Sequence, residues 1–143
     1  MMWTDRLKRD ENGAATVEFA LLGPVMITLM LGVLQVGIAM WSYNSLRAIA
    51  SDSARYAVIN YQTSSKLNNS QIQQFARTTA ISTPYGLNDA QLTITVENAT
   101  TQRVTNAKEL TLSINYTVPT LLAIIGVGDI PMSFSRPIFV IGT

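Results

Sequence analysis

The feature that most constrains this chain is a run of 28 residues, positions 19–46, that contains no charged side chain. Within it, 17 of the 23 residues from Phe19 to Trp41 are apolar, and they surround a helix without leaving a polar face. A bilayer core about 30 Å thick needs about 20 residues of helix, so the sequence predicts a transmembrane span over about 19–41. The alternatives, a buried helix of a soluble protein and a cleaved signal peptide, usually have shorter apolar runs.

Basic residues on either side of the span bear on its orientation. Arg6, Lys8 and Arg9 precede it, while Arg47 and Arg55 follow it. The first group is short and clustered, which favours a cytoplasmic N-terminus and a periplasmic C-terminal domain.

Composition excludes several classes of function. The chain has no Cys and no His, which removes thiolate and imidazole chemistry, and its net charge of +1 gives no reason to expect nucleic acid as a partner. The carboxylates of the second half, Asp89, Glu97, Glu109 and Asp129, are isolated in sequence and are predicted to be solvated surface groups. We therefore predict no catalytic, cofactor-binding or metal site, and no enzyme.

One carboxylate, Glu18, stands at the edge of the apolar run. A carboxylate inside a bilayer is costly and is usually paired, whereas one in the headgroup region is simply solvated. Position alone leaves both interpretations open. The surrounding order is more specific: a short basic leader ends in Gly13, and Ala14 to Phe19 then lead into the apolar helix.

This order resembles the processing motif of type IV pilins. The segment 13–24 (GAATVEFALLGP) resembles the start of the TadE-like branch of the Tad (Flp, tight adherence) pilus system, and 41–46 (WSYNSL) and 54–58 (ARYAV) resemble the end of that family's N-terminal helix. The resemblance implies a leader over 1–13, cleaved after Gly13 by a prepilin peptidase to leave Ala14 as the new N-terminus. It also makes Arg55 and Tyr56 part of a family-like helix end.

The resemblance gives Glu18 a specific role as an assembly residue. The free amine of one subunit would meet the carboxylate of its neighbour, and this pairing would fix the axial register of packed helices. The chain departs from the family where Ser51 and Ser53 stand, since the family usually has Arg and Gly there. Asp52 is predicted to pair with Arg55 instead.

The long helix, predicted over 14–58, turns amphipathic after Trp41. The residues that recur there at three- and four-residue spacing are Leu46, Ile49, Ala50, Ser53, Ala54 and Ala57. This face is expected to pack on the domain that follows, while the rest of the outer half projects.

Other residues of the long helix bear on its packing. Pro24 removes an amide donor, so a kink is expected there. Gly32, Gln35 and Ala39 lie close to one helical face and are expected to pack against another helix. Gln35 is expected either to bond to a neighbouring helix or to face the chain's own globular domain without a hydrogen-bond partner.

The remaining residues, 59–143, are predicted to form an extracytoplasmic α+β domain. Residues 60–65 read as a linker, and Ser70 is a candidate N-cap for a short helix ending near Ser82. Alternating apolar residues predict strands at 92–97 and 110–118, with a third over 132–141 in which Pro137 marks an edge or a bulge. The predicted fold is pilin-like: a long helix, a short helix and an antiparallel sheet of about three strands covered by the outer half of the long helix.

An apolar loop, Leu121–Val127, is too short to span a bilayer. It could be part of the core, dip into the membrane or contact a partner, and the sequence leaves these three open.

The sequence therefore favours a structural subunit, a minor pilin or pseudopilin. It would be anchored in the bacterial inner membrane and join an extracellular pilus after assembly. Its partners would be other pilins, the prepilin peptidase and the inner-membrane assembly platform. An alternative is a pilus-tip adhesin using the loops Asn98–Lys108 and Leu121–Ile130; a membrane-anchored enzyme is a more remote alternative.

Overall fold

The computed structural model describes residues 11–62 and 67–141. Most of the predicted leader and part of the predicted linker lie outside these residues. Two helices precede three strands: α1 Glu11–Gln62, α2 Asn69–Ile81, β1 Leu92–Asn98, β2 Ala107–Val118 and β3 Ile130–Ile141. This order confirms the predicted α+β class.

Helix α1 is longer than the predicted 14–58, because it continues through Gly13 at one end and because no Gly or Pro follows Val58 closely at the other. It begins before Gly13 and continues through Tyr61 to Gln62. The helix from Gly13 to Tyr61 is long and apolar enough to cross a membrane, and its most apolar window is not buried within the chain.

Helix α2 begins two residues earlier than the Ser70 cap would place it. Asn68 is the N-cap: its Oδ1 accepts from the Gln71 amide at 2.8 Å, and the Gln71 Oε1 accepts from the Asn68 amide at 2.9 Å. This reciprocal capping box satisfies two otherwise unpaired amides at the start of the helix. The C-cap is Ser82, which agrees with the predicted end of the helix near Ser82.

The sheet is antiparallel with strand order β1–β2–β3. Leu92 lies opposite Tyr116, and Val118 lies opposite Ile130 at the end that carries the β2–β3 loop. Both alternating strands are confirmed, because their apolar residues face the core. Pro137 lies in β3, which is an edge strand, where a missing amide is tolerated.

The core lies between the sheet and the outer half of α1. The buried face of α1 recurs at three- and four-residue spacing and includes the predicted apolar residues together with small serines: Ser42, Ser45, Leu46, Ile49, Ala50, Ser53, Ala54 and Ala57. The small members of this face allow the helix axis to approach the sheet closely. From α2, Ile72, Ala76 and Ala80 complete the core.

Contacts along α1 fix which end of the sheet lies nearer the predicted membrane span. The Tyr43 ring meets the Phe134 ring edge to face at 6.2 Å, and the Arg136 Nη1 donates to the Ser51 Oγ at 2.7 Å. Strand β3 therefore runs in the same direction as α1. The β2–β3 loop lies at the end near the span, and the β1–β2 loop lies at the opposite end.

Glu109 corrects one expectation, since it was predicted to be solvated and is only 3% exposed. Its carboxylate accepts from the Arg103 Nε at 2.9 Å and also from the Arg103 Nη2 and the Arg103 backbone amide. The Arg103 guanidinium in turn lies over the Phe139 ring. These hydrogen bonds hold the pKa of Glu109 below its usual range.

This arrangement predicts a pH-dependent contribution to stability. A carboxyl whose pKa is lowered by folding stabilises the fold above its unfolded pKa, near 4.3 for Glu, and loses that contribution as the pH falls through the folded value. Glu109→Gln is expected to lower the free energy of unfolding at pH 7, and this difference from the native chain should shrink as the pH falls below about 4. Denaturant unfolding at several pH values measures it. Glu97→Gln, at an exposed position on β1, is the control and should change little. A Glu109→Gln effect that is independent of pH would contradict the prediction.

Candidate functional site

The candidate site is the inner half of α1, residues 13–34, which no other part of the described chain covers. Its large apolar side chains are exposed on all sides, with Phe19 78% and Val33 74% exposed. An apolar surface of this extent marks contact with lipid or with other apolar helices.

Gly13, Ala14 and Glu18 lie at the N-terminal end of this surface and are all exposed. Ala14 and Glu18 are four residues apart in continuous helix, so they lie on the same face, about 6 Å apart along the axis. An amine created at Ala14 would therefore be presented to a neighbouring helix on the same side as the Glu18 carboxylate. The predicted roles of these three residues in cleavage and register stay predictions.

Helix α1 is continuous across Pro24. The Thr28 Oγ1 donates to the Pro24 carbonyl at 2.8 Å, a side-chain bond that competes with the backbone ladder one turn later. The missing Pro24 amide and this side-chain bond would both weaken the backbone hydrogen bonds of the same stretch of helix. The kink at Pro24 stays a prediction.

The predicted packing residues Gly32, Gln35 and Ala39 have different environments. Gln35 is only 4% exposed because its carboxamide is held by the chain's own domain. Its Nε2 donates to the Pro119 carbonyl at 3.2 Å, and its Oε1 accepts from the Leu121 amide at 2.8 Å. Of the two alternatives for Gln35, the structure shows the chain's own domain, where the carboxamide donates one hydrogen bond and accepts another rather than staying unpaired. Gly32 has no neighbouring atom within 4 Å of where a Cβ would stand, so the chain itself leaves space there.

The apolar loop 121–127 is not part of the core, so that interpretation is wrong. Ile124 is 97% exposed and Ile125 is 56% exposed. The sheet ends at the Val118–Ile130 pair, and a short 3₁₀ turn, Ala123–Ile125, then reverses the chain through Gly126 at φ 82°. This positive φ suits glycine, and the turn directs the isoleucines away from the domain.

The family-like helix end has a structural role in this chain. The Tyr56 ring stacks on Phe75 of α2 at 3.9 Å with the planes nearly parallel, which joins the two helices. Arg55 is exposed, and among the described residues it forms no ion pair with Asp52, so that predicted pairing is wrong. Asp52 instead accepts from the Tyr85 hydroxyl at 3.2 Å, and burial together with this bond raises the pKa of Tyr85.

The link between Gln35 and the β2–β3 loop was not identified from the sequence. A lone amide in an apolar helix was the only signal, and it did not indicate which partner the amide would have. Within residues 11–62 and 67–141, no group of three or more acidic side chains is placed to hold a metal ion.

Comparison with known proteins adds one finding. Residues 13–55 match the model of a family described as TadE-like protein. The match begins at the predicted cleavage site and covers most of α1, but it includes neither α2 nor the sheet. No curated protein and no solved structure matches the chain.

Proposed function

We propose that this chain, a TadE-like protein of the Tad pilus system, is a minor pilin or pseudopilin. It is anchored in the inner membrane by α1, processed by a prepilin peptidase, and incorporated into the pilus or used to prime it through packing of its N-terminal helix. Its partners are other pilins or pseudopilins, the peptidase and the inner-membrane assembly platform.

The observation that carries the proposal is the division of α1 into two halves. The outer half contributes its Leu46–Ala57 face to the core of a folded domain, whereas the inner half is apolar and uncovered. A helix of this kind can be stored in a bilayer and then bundled with equivalent helices, because both environments bury the same side chains. The α2 and sheet domain would remain outside the bundle, which favours a minor component over a short major pilin.

Mass spectrometry of the N-terminus of the native protein tests the processing step. We expect a mature chain that begins at Ala14, because the motif places the cut directly after Gly13. A Gly13→Val variant should stay uncut, whereas Gly23→Val, the same change ten residues further along α1, should still be cut. A mature native chain that begins at Met1 would contradict the proposal.

The adhesin alternative is weakened by the placement of its two loops. Asn98–Lys108 lies at one end of the sheet and Leu121–Ile130 at the other, separated by the length of β2, about 36 Å. The two loops therefore do not build one contact surface. The comparisons favour a structural subunit over an enzyme, since the TadE-like match is to a pilus family.

A further inference from the structure

We propose that the tip of the β2–β3 loop, residues 121–127, inserts into the periplasmic leaflet of the membrane beside α1 and sets the depth at which the domain sits. The inference rests on the proposed function in one respect, namely that α1 spans the bilayer. It assigns a lipid-binding surface to a part of the chain outside the TadE-like match.

The base of the β2–β3 loop is attached to α1 within the predicted span. Gln35 holds the base of the loop through Pro119 and Leu121. It lies six residues, or about 9 Å, before Trp41 along the helix axis. A hydrocarbon core about 30 Å thick that starts near Phe19 reaches to about residue 39. The base of the loop is therefore level with the outer part of the span.

The side chains of the loop are uncharged and largely apolar. Residues 119–128 contain no charged side chain, and the loop exposes Leu121, Ile124, Ile125 and Val127. Asp129 follows this stretch, but its Oδ1 accepts from the Thr120 amide at 2.9 Å, at the base of the loop. Exposed apolar side chains at this level are stabilised by transfer from water into lipid.

Most backbone amides at the tip of the loop have partners within the chain, which lowers the cost of moving the tip from water to the less polar membrane interface. The amides of Ile125 and Val127 donate to the Leu122 carbonyl, and the Gly126 amide donates to the Ala123 carbonyl. The Leu122 amide donates to the Thr120 Oγ1 at 3.1 Å, and the Leu121 amide is taken by Gln35. Most backbone amides of the loop therefore have a hydrogen-bond partner within the chain and do not need one from water.

An apolar groove between α1 and the start of β3 lies close in sequence to the loop. It is lined by Val36, Met40 and Met132, among others, and also by Ile130, with which β3 begins directly after the loop. The loop and this groove therefore both present apolar side chains at the membrane end of the domain. We therefore assign lipid, rather than a second protein, as the partner that covers this loop while the chain is in the membrane before pilus assembly.

The absence of Cys allows a direct test with single-cysteine variants of the full chain. Ile124→Cys reports on the tip, Leu29→Cys on the span and Thr101→Cys on the exposed loop at the opposite end of the sheet. Each is labelled with a polarity-sensitive fluorophore and reconstituted in vesicles of phosphatidylethanolamine and phosphatidylglycerol. Nitroxide-labelled lipid quenches probes in the bilayer, and iodide quenches probes in water.

We expect the probes at positions 124 and 29 to be quenched by the nitroxide lipid and not by iodide. The probe at position 101 should be quenched by iodide and not by the nitroxide lipid. A probe at 29 in lipid with one at 124 quenched by iodide would overturn this inference alone. A probe at 29 quenched by iodide would instead overturn the membrane span on which the proposed function depends. A probe at 124 shielded from both quenchers would show that protein and not lipid covers the loop, which also overturns the inference.

Discussion

Glu18→Gln is expected to lower incorporation of the chain into pili by about tenfold or more, because losing one partner of a poorly hydrated ion pair is costly and each loss of about 1.4 kcal/mol is a factor of ten. The amine at Ala14 would keep its charge and lose its partner on the neighbouring subunit. Cleavage after Gly13 should continue, since the glutamine keeps the size of the side chain and the cut lies more than one helical turn away. The measurements are the amount of the chain in sheared pili relative to the membrane, and the mass of its N-terminus.

The matched control for this prediction is Glu97→Gln, which makes the same chemical change at an exposed position on β1. It should leave incorporation unchanged, because a solvated carboxylate contributes little to packing. If Glu18→Gln is cut normally and enters pili as efficiently as the native chain, the role of Glu18 in register is refuted. A loss of cleavage in the same variant would assign Glu18 to processing instead.

The buried faces of strands and helices could be predicted where apolar residues repeat at regular spacing along the sequence. The alternation of Leu92, Ile94 and Val96 correctly predicted which face of β1 is buried, because apolar side chains recur at every second residue of a half-buried strand. The Leu46–Ala57 pattern identified the buried face of α1 for the equivalent reason at helical spacing. The uncharged run 19–46 indicated the uncovered stretch up to residue 34, but it did not show where cover by the domain begins, since it also includes Ser42 and Leu46, which are buried.

Features that depend on contacts between distant residues could not be predicted. Gln35 meets Pro119 and Leu121 across 84 and 86 residues of sequence, so no local pattern reports the pairing. Glu109 was expected at the surface, and its burial depends on Arg103 folding back over it from the β1–β2 loop. The exposure of Ile124 also depends on distant residues. An apolar loop is compatible with the core, the membrane or a partner until the position of the end of the sheet beneath it is known.

Ile49→Ala is expected to lower the free energy of unfolding by about 2–5 kcal/mol, the usual cost of removing a large buried side chain. Ile49 is fully buried on the face of α1 that packs on the sheet. Alanine is the best helix former, so the loss would come from packing and not from helix propensity. Denaturant unfolding of the full chain in detergent micelles measures the effect.

The control is Ile59→Ala, which makes the same substitution ten residues further along α1, where the side chain is 54% exposed. It is expected to change the free energy of unfolding by about 1 kcal/mol or less, since exposed positions rarely cost more. A large difference between the two variants means that α1 and the sheet share one core and unfold together. Equal effects would mean that the sheet domain does not depend on the helix, and the outer half of α1 would then be a stalk beside the domain. Because the domain has only three strands, and a small sheet needs a covering layer to be stable, we expect the large difference.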